Sequence, residues 1–185
     1  MTINERIILG IDPGTVVSGY GIIKIVRNKP QVLIYGTIEL HKLGDHYARL
    51  QRIYERISQL INEYHPGELA IEAPFYGKNV QSMLKLGRAQ GIAMAAALAH
   101  GMPIYEYAPR KVKMAITGKG AASKEQVATM LAQLISLTGP PQKFDATDAL
   151  AIALCHFFQT NKPLSSNKSY NSWKDFIGQN PSRVR

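Results

Sequence analysis

Arg6-Ile-Ile-Leu-Gly-Ile-Asp12-Pro-Gly-Thr15 is the stretch whose reading decides the fold. A mostly β-branched apolar run ends on an aspartate, and Pro13-Gly14 then turns the chain. A carboxylate at the end of a buried strand is costly unless it is paired, protonated or bound to a cation. The pattern recurs further along. Leu69-Ala-Ile71 runs into Glu72, and Asp145-Ala-Thr-Asp148 stands at the head of the apolar helix Ala149-Leu-Ala-Ile-Ala-Leu154. Four such acids in a chain of net charge +9 form a candidate cradle for divalent cations beside an anionic substrate.

Working outward from Arg6, the stretches Gly19–Val26 and Val32–Glu39 alternate as strands do, joined by Arg27-Asn-Lys-Pro30. The chain therefore starts as a three-stranded antiparallel meander. From Asp45 to Tyr64 the apolar residues fall at helical spacing, and His65-Pro-Gly67 stops that helix. A short buried strand ending at Glu72, a helix from Val80 to His100 and a strand over Pro103–Tyr107 follow. Ser123-Lys-Glu-Gln126 reads as a capping box opening a helix to about Leu137. The last helix begins near Asp145. The order βββαβαβαα predicts an α/β fold with a mixed five-stranded sheet and flanking helices. Along the helix from Val80, Gly87, Gly91, Ala95 and Ala99 recur every four residues. That stripe admits close approach of another backbone, either inside the fold, which we favour on sequence, or across a dimer.

The length of 185 residues suits one domain over residues 1–160, with a basic tail over 161–185 that is expected to be largely disordered or to fold on a partner. The hydrophobic fraction is 45% and the charged fraction 19%, as in soluble globular proteins. No segment reads as a signal peptide or is long enough to span a bilayer, and the single cysteine, Cys155, suits a reducing compartment. The expected location is the cytoplasm, with no membrane partner.

The charge is uneven. Residues 76–124 hold eight Lys/Arg (among them Lys78, Arg110, Lys111, Lys113, Lys119 and Lys124) against Glu106 alone. A basic surface beside an acidic pocket is the footprint of a nucleic-acid enzyme; a generic solvated basic face is the alternative.

Two-metal phosphoryl transfer needs hard oxygen ligands around two cations roughly 3.5–4 Å apart. Asp12 is short enough to bridge both from a central strand, and Glu72 reaches the site from the next strand. Asp145 and Asp148, three apart on a helix, share one face. Each acid has an ordinary alternative: Asp145 as an N-cap, Asp148 as a first-turn dipole partner, Glu72 in a salt bridge. Lys113 and Lys124 are candidates to neutralise a phosphate, and Lys119 to contact a backbone. Gly118 and Gly120 suggest an adaptable loop. Phe75, on a Pro-Phe-Tyr-Gly loop, is placed either to stack on an unpaired base or to fill the core. His156, two helical turns after Asp148, is read as structural, and Cys155 as a small buried hydrophobe.

Taken together, five spaced motifs resemble the RuvC-type Holliday-junction resolvases over about residues 6–158. They are Gly10-Ile-Asp12-Pro-Gly14-Thr with Ser18-Gly-Tyr-Gly21; Ala70-Ile-Glu72 with Phe75; Lys85-Leu-Gly-Arg-Ala-Gln-Gly91; Glu106-Tyr-Ala with Val112-Lys113; and Asp145-Ala-Thr-Asp148-Ala-Leu-Ala-Ile-Ala. The resemblance implies a ribonuclease H-like fold and a homodimer. It also implies metal-dependent, paired, symmetric nicking of four-way DNA junctions in recombination and repair. Two Mg²⁺ per site, replaceable by Mn²⁺, would be held by Asp12, Glu72, Asp145 and Asp148. Lys113 and Lys124 fall on the family's basic active-site residues and Phe75 on its junction-stacking aromatic. Lys78, Arg110, Lys111 and Lys119 are expected DNA contacts, and a RuvA–RuvB branch-migration complex is the expected partner. Two other readings stay open at this point: a YqgF-type relative acting on RNA, and a catalytically silent DNA-binding module.

Overall fold

The computed structural model describes residues 5–74, 79–137 and 144–161. The expected contacts Phe75 and Lys78, and the tail from residue 162, lie outside these residues.

Five strands form one sheet: β1 (Arg6–Asp12), β2 (Val17–Val26), β3 (Lys29–Glu39), β4 (Glu68–Glu72) and β5 (Ile104–Tyr107). Their order is β3-β2-β1-β4-β5. The first three pair antiparallel, while β1 with β4 and β4 with β5 pair parallel. The helices are α1 (His46–Tyr64), α2 (Val80–Ala99), α3 (Pro109–Thr117), α4 (Lys124–Leu134) and α5 (Phe144–Thr160). The fold class expected from the sequence is the one observed.

Alternation along the central strands decides which acids meet. On β1, Leu9 and Ile11 pack with Leu69 and Ile71 of β4 against α1 and α2, while Ile8 and Ala70 belong to the core under α5. With a period of two, Asp12 and Glu72 must face α5, as do Arg6 and Glu68 at the opposite strand ends. α5 lies directly on this face. A side chain on Gly10 would collide with the carbonyl oxygen of Ala149, and one on Gly19 with that of Asp145. No other residue type lets the helix sit so low on the sheet.

Local chemistry sets the element ends. Asp45 caps α1 by accepting from the Ala48 N–H at 3.0 Å, and His65 ends that helix in the left-handed region. The capping box at Ser123 and Gln126 forms as expected. The expected linker Arg27-Asn-Lys-Pro30 is shorter than read. Arg27 and Asn28 alone turn the chain, both at positive φ, and Lys29 and Pro30 already pair with β2. Paired left-handed residues match the twist of a two-residue hairpin.

Two further expectations are corrected. Residues 109–117, which the sequence pattern leaves without an element, form α3, with Pro109 at its first turn and Val112 and Ile116 buried. Gly118 is the left-handed C-cap of that helix, and Gly120 packs under Arg110, so this loop is an ordered connection. The small-residue stripe of α2 does not face the core. The face that packs inward carries Ala89, Gln90, Ala93, Ala96 and Ala97, and nothing lies within 4 Å of a side chain built on Gly87 or Gly91. The helix turns its most apolar alanines to the sheet and leaves the stripe, with Leu84 at 54% and Leu98 at 63% exposure, on the outside.

Candidate active site

The β1–β4 register ends at Ile11 beside Ile71, and one step further Asp12 and Glu72 stand at neighbouring strand ends. α5 brings Asp148 over them, α3 brings Lys113 and the first turn of α4 brings Lys124. These residues line one cavity of about 220 Å³, closed below by Val112, Val127 and Ala151. Five of the six residues expected at the centre thus converge from five different elements. Asp145, one turn before Asp148, does not line the cavity, but its charge acts on both Asp12 and Lys124. A larger cavity of about 540 Å³, between β3 and the end of α4, has no acidic residue in its lining.

The electrostatics of the cavity are those of acids short of positive charge. Burial, then repulsion by Glu72 and Asp148, pushes the Asp12 carboxyl up to about 8, with Lys124 only partly offsetting this. Burial and the Asp148 charge raise Glu72 as well, against Lys124 and Lys113. Lys124 Nζ donates to Asp148 Oδ2 at 2.7 Å. Burial works against the Lys124 charge, but the bond to Asp148 and the charges of Asp148, Asp12 and Asp145 outweigh it and hold its pKa above the ordinary value.

Two supports went unread in the sequence. Gln90 of α2, only 6% exposed, donates to the Glu72 carbonyl at 3.2 Å and steadies the end of β4. Ser18 Oγ both accepts from the Gly14 N–H and donates to the Gly14 carbonyl, at 3.0 Å each, fixing the turn after Asp12. An amide in the middle of a helix rich in alanine was the available signal for Gln90.

The expected outer contacts do not reach this cavity. Arg110 lies on Gly120, Lys111 Nζ stands 5.2 Å from the centroid of the Tyr107 ring, and Lys119 lines a separate groove with Glu125 and Gln126. His156 does not line the cavity either. It is fully buried, bonded at Nδ1 to the Tyr107 hydroxyl at 2.7 Å and at Nε2 to Glu68. Arg6 pairs with Glu68 at 2.6 Å beside it. Cys155 is buried too, with Sγ 3.9 Å from the Lys111 carbonyl.

Among the described residues, no three Asp, Glu, His or Cys side chains close into a finished metal cage. The donor chemistry still fits a divalent cation. The acids at the cavity offer carboxylate oxygens with no thiol or imidazole among them, the set a hard ion takes. Asp12 needs positive charge beside it to ionise at neutral pH, and the Lys124 ammonium already occupies part of that role at Asp148.

A family model described as crossover junction endodeoxyribonuclease RuvC matches residues 8–156. The chain belongs to the RuvC family. RuvC of Bacteroides fragilis is 56% identical over 99% of this chain and 98% of its own length. RuvC of Porphyromonas gingivalis is 56% identical over the whole of both chains. Among solved structures, Thermus thermophilus RuvC in complex with a Holliday junction substrate matches with a TM-score of 0.78 at 32% identity, over 84% of this chain and 94% of that one. The yeast mitochondrial Holliday junction resolvase Ydc2, at 15% identity and a TM-score of 0.61, shares the fold.

Proposed function

We propose that this chain resolves four-way DNA junctions by paired, symmetric, metal-dependent nicks during recombination and repair. The observation that carries the reading is the cavity itself, with Asp12, Glu72 and Asp148 facing Lys113 and Lys124 at the carboxyl ends of parallel strands. It is reinforced by family membership along nearly the whole chain.

In this reading Asp12, Glu72, Asp145 and Asp148 hold the metal. Two Mg²⁺, with Mn²⁺ as an acceptable substitute, would supply Lewis-acid activation of the attacking water and stabilisation of the leaving oxygen. The protein does the rest. The low seat of α5 on Gly10 and Gly19 fixes its two acids relative to the two on the sheet. Lys113 and Lys124 balance the negative charge gathering on the phosphate, inside a cavity where water screens poorly. Phe75, Lys78, Arg110, Lys111 and Lys119 are proposed as DNA contacts around it.

A second copy of the chain is the proposed partner on the outer face of α2. Its stripe of Gly87, Gly91, Ala95 and Ala99 between Leu84 and Leu98 supports close helix packing, and a two-fold dimer would present paired sites to a two-fold junction. A RuvA–RuvB complex as the branch-migrating partner, a cytoplasmic setting, and a division into residues 1–160 and a basic tail over 161–185 complete the proposal. Among the described residues, no helix is long and apolar enough to cross a membrane.

An end-labelled four-way junction, run beside linear duplex and an RNA–DNA hybrid in Mg²⁺ and in EDTA, tests it. Symmetric nicks confined to the junction and to metal are expected. Preferential cutting of the hybrid, or junction binding without cutting under any metal, would overturn it.

A further inference from the structure

Three residues beyond Asp12 the chain helps to line a second opening, shared with α1 and α2. Thr15, Val16, Gly44, His46, Arg49, Ser82 and Lys85 surround a cavity of about 320 Å³. Its lining contains two permanent cations, an imidazole and two hydroxyls, and no acid. Arg49 is held in place at the wall, with Nε donating to the Leu43 carbonyl at 2.7 Å and Nη1 to the Thr15 carbonyl at 3.1 Å. That arrangement pins a guanidinium that would otherwise be mobile. The nearby Asp45 carboxylate is engaged by the Ala48 N–H as the α1 cap. His46 Nε2 is buried and has no hydrogen-bond partner among the described residues. The His46 ring nevertheless lines the cavity beside Arg49 and Lys85, so an anion held there would have the imidazole as a neighbour.

We propose that this cavity is a second phosphate subsite, taking a backbone phosphodiester of the same DNA strand a few nucleotides from the bond that is cut. The inference rests on the nuclease reading above. Thr15 lies at most about 11 Å of chain from Asp12, and nucleotides rise about 3.4 Å each along a strand, so that span corresponds to a few nucleotides. The ring of Arg49, Lys85, His46, Ser82 and Thr15 matches the charge and the acceptor-only chemistry of a phosphate oxygen. Because Arg49 also holds the Thr15 carbonyl, the turn that follows Asp12 and the subsite are mechanically one piece. A phosphate seated here sets the register of the strand over the acids.

The test measures four-way-junction affinity in EDTA by fluorescence anisotropy across a salt series, on the full chain. Native protein, Lys85→Gln, His46→Leu and the distant charge control Lys29→Gln are compared after thermal melts confirm folding. Lys85→Gln is expected to weaken binding about five- to tenfold at 0.1 M salt and to lower the salt slope by about one phosphate contact. His46→Leu is expected to weaken binding with a smaller change in slope. Inorganic phosphate alone is titrated in parallel, with the His46 ring resonances as the probe. Unchanged affinity and slope in both variants would overturn the subsite, and so would a loss at Lys29→Gln equal to that at Lys85→Gln. A phosphate response at His46 without any DNA defect would make the cavity a free-anion site and also overturn it. Native protein is assayed for junction nicking in the same preparation, so failure of the nuclease reading shows separately.

Discussion

The Lys124 ammonium stands 2.7 Å from Asp148 Oδ2 across 24 residues of sequence, joining the first turn of α4 to the first turns of α5 over the acidic cavity. Lys124, with Lys113, supplies positive charge that lets these acids share a cavity, and it lies where a transferred phosphate would also need one. Replacing Lys124 with Ala should lower single-turnover nicking at saturating junction and Mg²⁺ by about 100-fold, the usual scale for losing one stabilising group at the reacting centre. Junction affinity should change far less. A loss confined to affinity would make Lys124 a plain phosphate contact.

Asp12 makes the metal-free protein sensitive to pH, with a sign opposite to that of most carboxylates. Its folded-state value of about 8 lies above the ordinary 3.8, so the fold favours the protonated form. Between those values the native state binds more protons than the unfolded chain, and stability falls as pH rises. The full contribution is present below about pH 4 and is lost by pH 8. In EDTA the melting temperature should drop from pH 6 to pH 8.5, and Asp12→Asn should flatten that drop and raise the value at pH 8.5. Mg²⁺ should restore the native protein more than the variant. Parallel pH curves for the two proteins would contradict the assignment.

Gly10→Ala should separate the sheet from α5, because the added carbon would collide with the Ala149 carbonyl and crowd Ala153. A cost of about 3 kcal/mol is expected from chemical denaturation, as for overpacking against a rigid backbone. Nicking should fall even where the protein remains folded, since Asp148 moves with the helix. A stable variant with native activity would show that the close seat of α5 is unnecessary.

Glu68→Ala should destabilise the fold without touching the acidic cavity. Glu68 receives Arg6 at 2.6 Å and also bonds His156, and its removal takes the carboxylate partner from both, leaving Arg6 with Thr160 and His156 with Tyr107. The expected loss is about 2 kcal/mol in urea unfolding. Burial holds the His156 pKa below its usual range even though Glu68 pulls it upward, so the fold keeps the ring neutral. Native stability should therefore decline as pH falls below about 6.5, where the unfolded chain takes up the proton first. A variant as stable as the parent would remove the Arg6–Glu68–His156 group from the list of stabilising contacts.

What the sequence determined by itself was everything carried by local pattern. Apolar runs placed β1 and β4, and period-two alternation β2 and β3, within two or three residues of their observed bounds, and Ser123 and Gln126 announced a helix start through capping chemistry that acts within one turn. The acids at strand ends were visible because a charge that ends an apolar run contradicts its own surroundings. α3 was missed because its apolar signal is only Val112 and Ile116 within a run of cations, too little periodicity to separate a helix from a basic loop. Tertiary structure decided the rest, because those outcomes depend on which surfaces meet. Only the packing of α5 on Gly10 and Gly19 selects the face on which Asp12 and Glu72 meet Asp148. Only the choice of Ala89, Ala93, Ala96 and Ala97 as the inner face of α2 turns its glycine stripe outward. No period in the chain pairs Lys124 with Asp148 or gathers His46, Arg49 and Lys85 around one cavity, since residues far apart in sequence become neighbours only once the layers have stacked.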